Sequence, residues 1–218
     1  MSYVAALLLA VAFGLLGRWL LRPYDALGRR KPAPLASVLL FASIGAGLLV
    51  PVWRHARLEH RLDDVASALV GVPVVVHCQT AGDELFDVGG ELGLVRSGAD
   101  GRPERATLLK RGPCRRLAGY VRSEQAHPSR DQVVAVHVLS HEARHMAGTT
   151  DEARAECEAM QRDARAAQLL GADPAEARAL AAAYWRDVYP TMGDSYRTPD
   201  CAPGGALDER LGEGPWGS

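Results

Sequence analysis

Hydrophobic residues are concentrated in two long runs near the start of the chain. The first run, residues 2–21 (SYVAALLLAVAFGLLGRWLL), contains a single charge, Arg18, and the second, residues 34–53 (PLASVLLFASIGAGLLVPVW), contains none. Each run has about 20 residues, the length that an α-helix needs to cross the hydrocarbon core of a bilayer. The pattern therefore predicts a hairpin of two transmembrane helices.

Basic residues flank the two runs unevenly. Five lie in or beside the connection and three follow the second run: Arg18, Arg22, Arg29, Arg30 and Lys31, then Arg54, Arg57 and Arg61. Because basic residues stay preferentially on the cytoplasmic side, the difference predicts a cytoplasmic connection at the plasma membrane and an extracytoplasmic soluble domain. No basic residue precedes the first run, so we expect it to remain as a membrane helix rather than be cleaved as a signal peptide.

After the second run the spacing of apolar residues becomes helical and then strand-like. Leu58, Leu62, Val65 and Leu69 recur at helical spacing, which predicts a stalk helix over residues 54–70. Three runs rich in β-forming residues follow, with turn-forming residues between them, at 72–79 (VPVVVHCQ), 91–96 (ELGLVR) and 105–110 (RATLLK). They predict a small antiparallel sheet.

Helical spacing returns near residue 129 and predicts three helices with capping signals. The first begins at Ser129 or Asp131 and ends before Gly148, and a short helix is also expected before it, up to residue 121. The second runs from about 149 to 171, where Thr149 and Glu152 have the spacing of a capping box.

The third of these helices begins at the cap Asp173, with Pro174 in its first position, and reaches about residue 189. The tail from 190 to 218 is rich in Gly and Pro and is expected to be irregular. The chain is thus predicted to be α+β, with an anchor at 1–53, a stalk at 54–70 and an extracytoplasmic domain at 71–218.

Charge and cysteine content narrow the choice of function. The 218 residues include 25 basic and 26 acidic side chains, which argues against a nucleic-acid-binding protein. All four cysteines follow the apolar runs and none has CxxC spacing, which favours two disulfides in an exported domain. Sequence proximity favours pairing Cys78 with Cys114 and Cys157 with Cys201, among three possible pairings.

The predicted helix from 129 carries the sequence HEARH, with His141, Glu142 and His145. Residues four apart lie on one face of a helix, so both imidazoles can reach one metal ion while Glu142 lies beside it. Zinc at such a site supplies Lewis acidity, and the neighbouring carboxylate can take a proton from water. The spacing therefore predicts a catalytic Zn²⁺ site with Glu142 as general base.

A third zinc ligand is expected from the next helix, because catalytic zinc usually has three protein ligands. Glu152 and Glu156 share one face of that helix, and either can point toward the histidines. Asp151 is better explained as a capping residue. His137 lies one turn before His141, too far along the helix for the same ion, and is expected to support the site or face solvent.

The HEARH sequence, followed by Glu152, Ala155 and Glu156, resembles the gluzincin metallopeptidases over about residues 137–160. The order EARAE is also similar to the ExxAD pattern of membrane-associated zinc peptidases. This resemblance implies a zincin-like domain in which His141, His145 and Glu152 bind zinc and Glu156 supports a ligand histidine. The six-residue connection between the helices is shorter than in those families, and the choice between Glu152 and Glu156 stays open.

A second pattern, HEARHMAGTTD, resembles the metzincins, with Asp151 as third ligand and Met192 in a downstream methionine turn. The helix expected from Asp151 onward disfavours it. Tyr184, Tyr189 and Tyr196 are unranked candidates for stabilising an oxyanion.

The sequence as a whole predicts a membrane-anchored zinc metallopeptidase with peptide or protein substrates. One alternative is a non-catalytic, disulfide-stapled envelope binding module whose zinc site is structural or degenerate. Another is a hydrolase of non-peptide amides or esters.

Overall fold

The structure, a computed structural model, describes residues 2–25, 27–84, 91–98, 101–212 and 214–216. The chain divides into two units, Met1–Arg57 and Leu58–Ser218. One long helix, α2 (Leu35–Val70), contributes residues to both units.

The first unit contains α1 (Ser2–Leu21) and the beginning of α2, and both helices are long and apolar enough to cross a membrane. Gly45 of α2 packs against α1, since a Cβ at this position would lie 2.9 Å from the Leu9 side chain. Small residues of this kind let membrane helices approach closely. Outward-facing side chains such as Phe13 and Leu39 are apolar and mostly exposed, as expected of helices that contact lipid.

A three-stranded sheet forms one side of the second unit. Its strands are β1 (Val75–Cys78), β2 (Gly93–Ser97) and β3 (Pro103–Leu109), and β3 lies in the centre. β2 pairs with β3 antiparallel, but β1 pairs with β3 parallel, so the prediction of an antiparallel sheet was wrong for that pair. Strand periodicity predicts which residues are extended, whereas strand direction depends on how the chain returns between β1 and β3.

The remaining helices of the described residues follow mostly after the sheet. They are α3 (Ala81–Glu84), α4 (Arg111–Arg122), α5 (Arg130–Met146), α6 (Glu152–Met160), α7 (Asp163–Leu169) and α8 (Pro174–Asp187), and two 3₁₀ turns follow at Tyr189–Thr191 and Asp194–Tyr196. Ser129 forms a capping box with Gln132 at α5, and Asp173 caps α8 with Pro174 in its first turn. Both caps match the sequence prediction.

The second predicted helix begins within the predicted range but differs from the prediction in its middle. Asp151, expected as a capping residue, caps α6, because its carboxylate accepts a hydrogen bond from the Arg154 amide, and the capping-box spacing of Thr149 is not used. The helix also breaks between α6 and α7, where the buried Gln161 amide donates to the Leu207 carbonyl oxygen. The tail thus anchors this turn, a contact that helical periodicity does not encode.

Two disulfides join Cys78 to Cys114 and Cys157 to Cys201, the pairing favoured by sequence proximity. The first links β1 to α4, and the second links α6 to the chain after the last 3₁₀ turn. The end of α2 belongs to the core of the second unit, where Leu62 and Val65 are buried.

Candidate metal centre and its cleft

The two histidines of the HExxH sequence lie on α5, a largely buried helix of the second unit. This helix packs against β2 and β3 and against α4, α6, α7 and α8. Eleven of its 17 residues are buried. The surrounding elements therefore determine whether each polar side chain of α5 points toward the sheet or toward α6.

Three donor atoms converge between α5 and α6. The Nε2 atoms of His141 and His145 lie 2.9 Å apart, and Oε2 of Glu152 lies 3.2 Å from the first and 3.5 Å from the second. The opposite nitrogen of His145, Nδ1, lies 2.7 Å from the carbonyl oxygen of Thr149. That backbone oxygen orients the His145 ring so that Nε2 faces the other two donors.

These separations fit a tetrahedral metal ion. Ligand bonds of about 2.0–2.1 Å at tetrahedral angles place neighbouring donor atoms about 3.4 Å apart, close to the observed separations. Two imidazole nitrogens and a carboxylate oxygen also form a donor set that divalent zinc accepts. The trio could hold a metal ion on these grounds.

Glu156 does not converge on the same point. Its Oε2 lies 3.1 Å from Nδ1 of His141 and 3.0 Å from Nε2 of His137, and its Oε1 accepts a 2.6 Å hydrogen bond from the Tyr184 hydroxyl. Glu156 is 1% exposed, whereas the Glu152 side chain is 44% exposed. The structure thus separates the two glutamates, with Glu152 at the mouth of the site and Glu156 behind the His141 ring.

His137 lies in the buried layer behind the site. Nδ1 of its ring is 2.8 Å from Oδ2 of Asp163, and the ring stacks on Tyr184 at a centroid distance of 3.6 Å. Burial lowers the pKa of His137, but the carboxylates of Glu156 and Asp163 outweigh it and raise the pKa to about 10. A protonated His137 therefore neutralises part of the buried acidic charge. His137, His141 and Glu156 form a second trio with metal-ligand spacing, in which His137 is already hydrogen-bonded to Glu156 and to Asp163.

Glu142 points away from α6, toward the sheet. The Thr107 hydroxyl of β3 lies 3.2 Å from Oε2 of Glu142 and 3.2 Å from the Leu94 carbonyl oxygen, two acceptors that share its one proton, and β2 crosses the carboxylate at Gly93. A Cβ at Gly93 would lie 2.5 Å from Oε1 of Glu142, so any larger residue there would displace the carboxylate. Burial raises the pKa of Glu142, while the two neighbouring histidines oppose that shift.

A cleft of about 430 Å³ opens over this site, which is in the range of small-molecule and peptide pockets. Its lining includes the HExxH face of α5, the edge strand β2 and the chain after α8. Tyr196 lines the cleft and its ring centroid lies 5.9 Å from that of His141. The Tyr184 hydroxyl donates a hydrogen bond to Glu156, and the Tyr189 hydroxyl is hydrogen-bonded to the backbone of Thr198.

The metzincin pattern does not describe the site. Asp151 caps α6 instead of joining the histidines, although Met192 does line the cleft. Sequence reasoning missed Gly93, Thr107 and Asp163. Their positions depend on the sheet and on α7, and nothing in the local sequence links any of them to HEARH. Comparison of the chain with protein-family models, curated proteins and solved structures found no match.

Proposed function

We propose that this chain is a zinc-dependent metallopeptidase held at the plasma membrane by its first two helices. The observation that carries the proposal is the convergence of His141 Nε2, His145 Nε2 and Glu152 Oε2 at tetrahedral-ligand separations, inside a cleft. The unequal distribution of basic residues around the two apolar helices further supports an extracytoplasmic site.

The residues of the site have distinct roles in this proposal. His141, His145 and Glu152 would hold zinc, which when bound supplies Lewis acidity toward a substrate carbonyl. Glu142, held by Thr107, takes a proton from the attacking water and delivers it to the leaving amine. The Tyr196 hydroxyl, at the edge of the cleft, donates to the carbonyl oxygen as negative charge develops there.

The position of Glu156 favours this function over a structural zinc site. A closed site would use both glutamates as ligands and leave no position for water. Because Glu156 lies at the Nδ1 side of His141, it can orient the ring without occupying a fourth ligand position.

The test is zinc content and peptide cleavage by the full chain purified in detergent. We expect about one zinc per chain, its loss in His141→Ala, and zinc without peptide cleavage in Glu142→Gln. A folded parent that takes up no zinc contradicts the proposal. Stoichiometric zinc without cleavage of any peptide supports instead a binding module or a hydrolase of other amides or esters.

A further inference from the structure

A buried pair of polar residues, His137 and Asp163, lies behind the candidate metal centre and has no role in the proposed chemistry. Their side chains are 3% and 0% exposed, and Nδ1 of His137 lies 2.8 Å from Oδ2 of Asp163. Neither residue belongs to the HEARH or the EARAE sequence. Because well-packed apolar residues are often at least as stable as a buried ion pair, this pair indicates a function other than filling the core.

The second nitrogen of His137 contacts the oxygen of Glu156 that faces the metal centre. Nε2 of His137 lies 3.0 Å from Oε2 of Glu156, and the same oxygen lies 3.1 Å from Nδ1 of His141. Tyr184 donates to the other oxygen of this carboxylate, Oε1. His137 therefore holds the one oxygen atom that faces the ligand ring.

The imidazole of His137 is held at both of its nitrogens. Nδ1 faces Asp163 and Nε2 faces Glu156, so a rotation of the ring would break both contacts. Burial lowers the pKa of His137, but the two carboxylates raise it to about 10, so both nitrogens carry a proton at neutral pH. The ring can therefore donate one hydrogen bond to each carboxylate.

Asp163 is placed by contacts that lie outside α5 and α6. It is the first residue of α7, directly after the turn that contains Gln161. The Gln161 side chain donates to the Leu207 carbonyl oxygen and accepts a hydrogen bond from the Glu209 amide. The C-terminal tail therefore fixes the turn that presents Asp163 to His137.

We propose that His137 is a positioning residue that acts on the metal centre through Glu156. Its Nε2–H keeps Oε2 of Glu156 beside the His141 ring. Asp163, at Nδ1, keeps the imidazole of His137 in the orientation that this contact requires. The inference rests on the zinc-binding part of the proposed function, and it extends the support of the site to side chains that touch neither metal nor substrate.

Two amide substitutions separate this role from simple packing, because each preserves one nitrogen of the ring. The side-chain nitrogen of Gln lies near the place of Nε2, and that of Asn near the place of Nδ1. His137→Gln keeps a donor to Glu156 and is expected to bind zinc within about threefold of the parent, whereas His137→Asn is expected to bind it about 10- to 100-fold more weakly. Competition with a chromophoric chelator measures both on the full chain in detergent.

Loss of packing does not distinguish these two variants. Both lose the stacking of the His137 ring on Tyr184, so their free energies of unfolding with EDTA present should be similar. If His137→Asn does not fold, the double variant His137→Leu with Asp163→Asn removes the same donor without leaving the carboxylate of Asp163 unpaired. It should lose zinc affinity to the same extent as expected for His137→Asn.

A second matched pair of variants tests Asp163. In Asp163→Asn the amide can still pair with Nδ1 of His137 while Nε2–H remains directed at Glu156, so zinc affinity should stay close to that of the parent. Asp163→Leu cannot pair with Nδ1 and should weaken zinc binding. Equal zinc affinities in the two Asp163 variants would overturn the role assigned to Asp163.

The outcomes separate this inference from the function on which it rests. A folded parent that binds no zinc overturns both. Equal zinc affinities in His137→Gln and His137→Asn, whether parental or reduced, overturn the positioning role of His137 and leave the proposed function standing. The expected order of affinities supports the positioning role even if no peptide is cleaved, because it is measured on metal binding and not on catalysis.

Discussion

Oε2 of Glu156 lies 3.1 Å from Nδ1 of His141, on the side of the imidazole opposite the nitrogen that faces His145 and Glu152. The two atoms are at ion-pair distance, although the angle at Nδ1 is not that of a hydrogen bond. A carboxylate at this place electrostatically favours the His141 tautomer with its proton on Nδ1, which leaves Nε2 free to bind a metal. Glu156 is itself held by His137 and Tyr184, so a buried polar layer supports the candidate ligand.

The separation of the two glutamates predicts unequal effects on zinc affinity. Glu156→Gln is expected to weaken zinc binding about 10- to 100-fold, because it removes an outer support, and Glu152→Ala to weaken it further. Competition with a chromophoric chelator measures both on the full chain in detergent. Glu124→Gln, an exposed glutamate outside the cleft, is the control. Equal losses in the two site variants would contradict the assignment of Glu152 as ligand.

Gly93 is predicted to position the general base. In Gly93→Ala the new Cβ overlaps the Glu142 carboxylate, so kcat is expected to fall about 10²-fold while zinc stays bound. Gly112→Ala is the matched control, since a Cβ there meets open space on α4. Steady-state kinetics with zinc analysis distinguishes displacement of the base from loss of the metal. Unchanged kcat in Gly93→Ala would show that β2 does not constrain Glu142.

Tyr196 is predicted to stabilise the transition state. Tyr196→Phe removes the hydroxyl that lines the cleft, and we expect kcat to decrease about 10²-fold with little change in KM. Tyr120→Phe is a suitable control, because the buried Tyr120 hydroxyl has no hydrogen-bond partner among the described residues. A KM effect without a kcat effect would instead assign Tyr196 to substrate binding.

Glu158 is predicted to make the stability of the domain pH-dependent. Burial raises its pKa, but hydrogen bonds from Arg154, Thr149 and Arg144 outweigh burial and hold the pKa below 4.5. The stabilisation that ionised Glu158 gives the folded domain is therefore fully present above pH 4.5, and it is lost as the pH falls through the lowered pKa. Glu158→Gln should cost about 2 kcal/mol at pH 7, and the difference from the parent should shrink in acid.

The effect of Glu158→Gln is tested by measuring the free energy of unfolding of the full chain in detergent with denaturant, at several pH values and with EDTA present. The chelator removes the effect of losing metal in acid. A difference between parent and variant that stays constant from pH 7 to acid would assign the stabilisation to packing of Glu158 rather than to its charge.

The two disulfides are predicted to differ in their effect on activity. They close segments of 36 and 44 residues, so replacing either pair by alanine should cost a similar stability, about 4 kcal/mol in the chain-entropy model. Only Cys157 with Cys201 joins α6 to the segment that carries Tyr196. Its removal should therefore lower kcat/KM more than removal of Cys78 with Cys114, at a temperature where both variants are folded. Equal losses of activity would contradict this role.

The local features of the fold follow from residues close together in the sequence. Helical spacing and capping residues predicted α5 and α8, and the apolar runs predicted two helices of membrane-spanning length. The i, i+4 spacing of His141 and His145 put both rings on one face, because that geometry depends only on the helix.

Other features depend on contacts between distant segments and are visible only in the folded chain. The direction of β1, the break at Gln161 and the positions of Thr107 and Gly93 around Glu142 all arise from contacts between elements far apart in sequence. Glu152 and Glu156 are equivalent in the sequence because they share a helix face. Only the packing of α6 between α5 and α8 placed Glu152 in the open cleft and buried Glu156 against His137 and Tyr184.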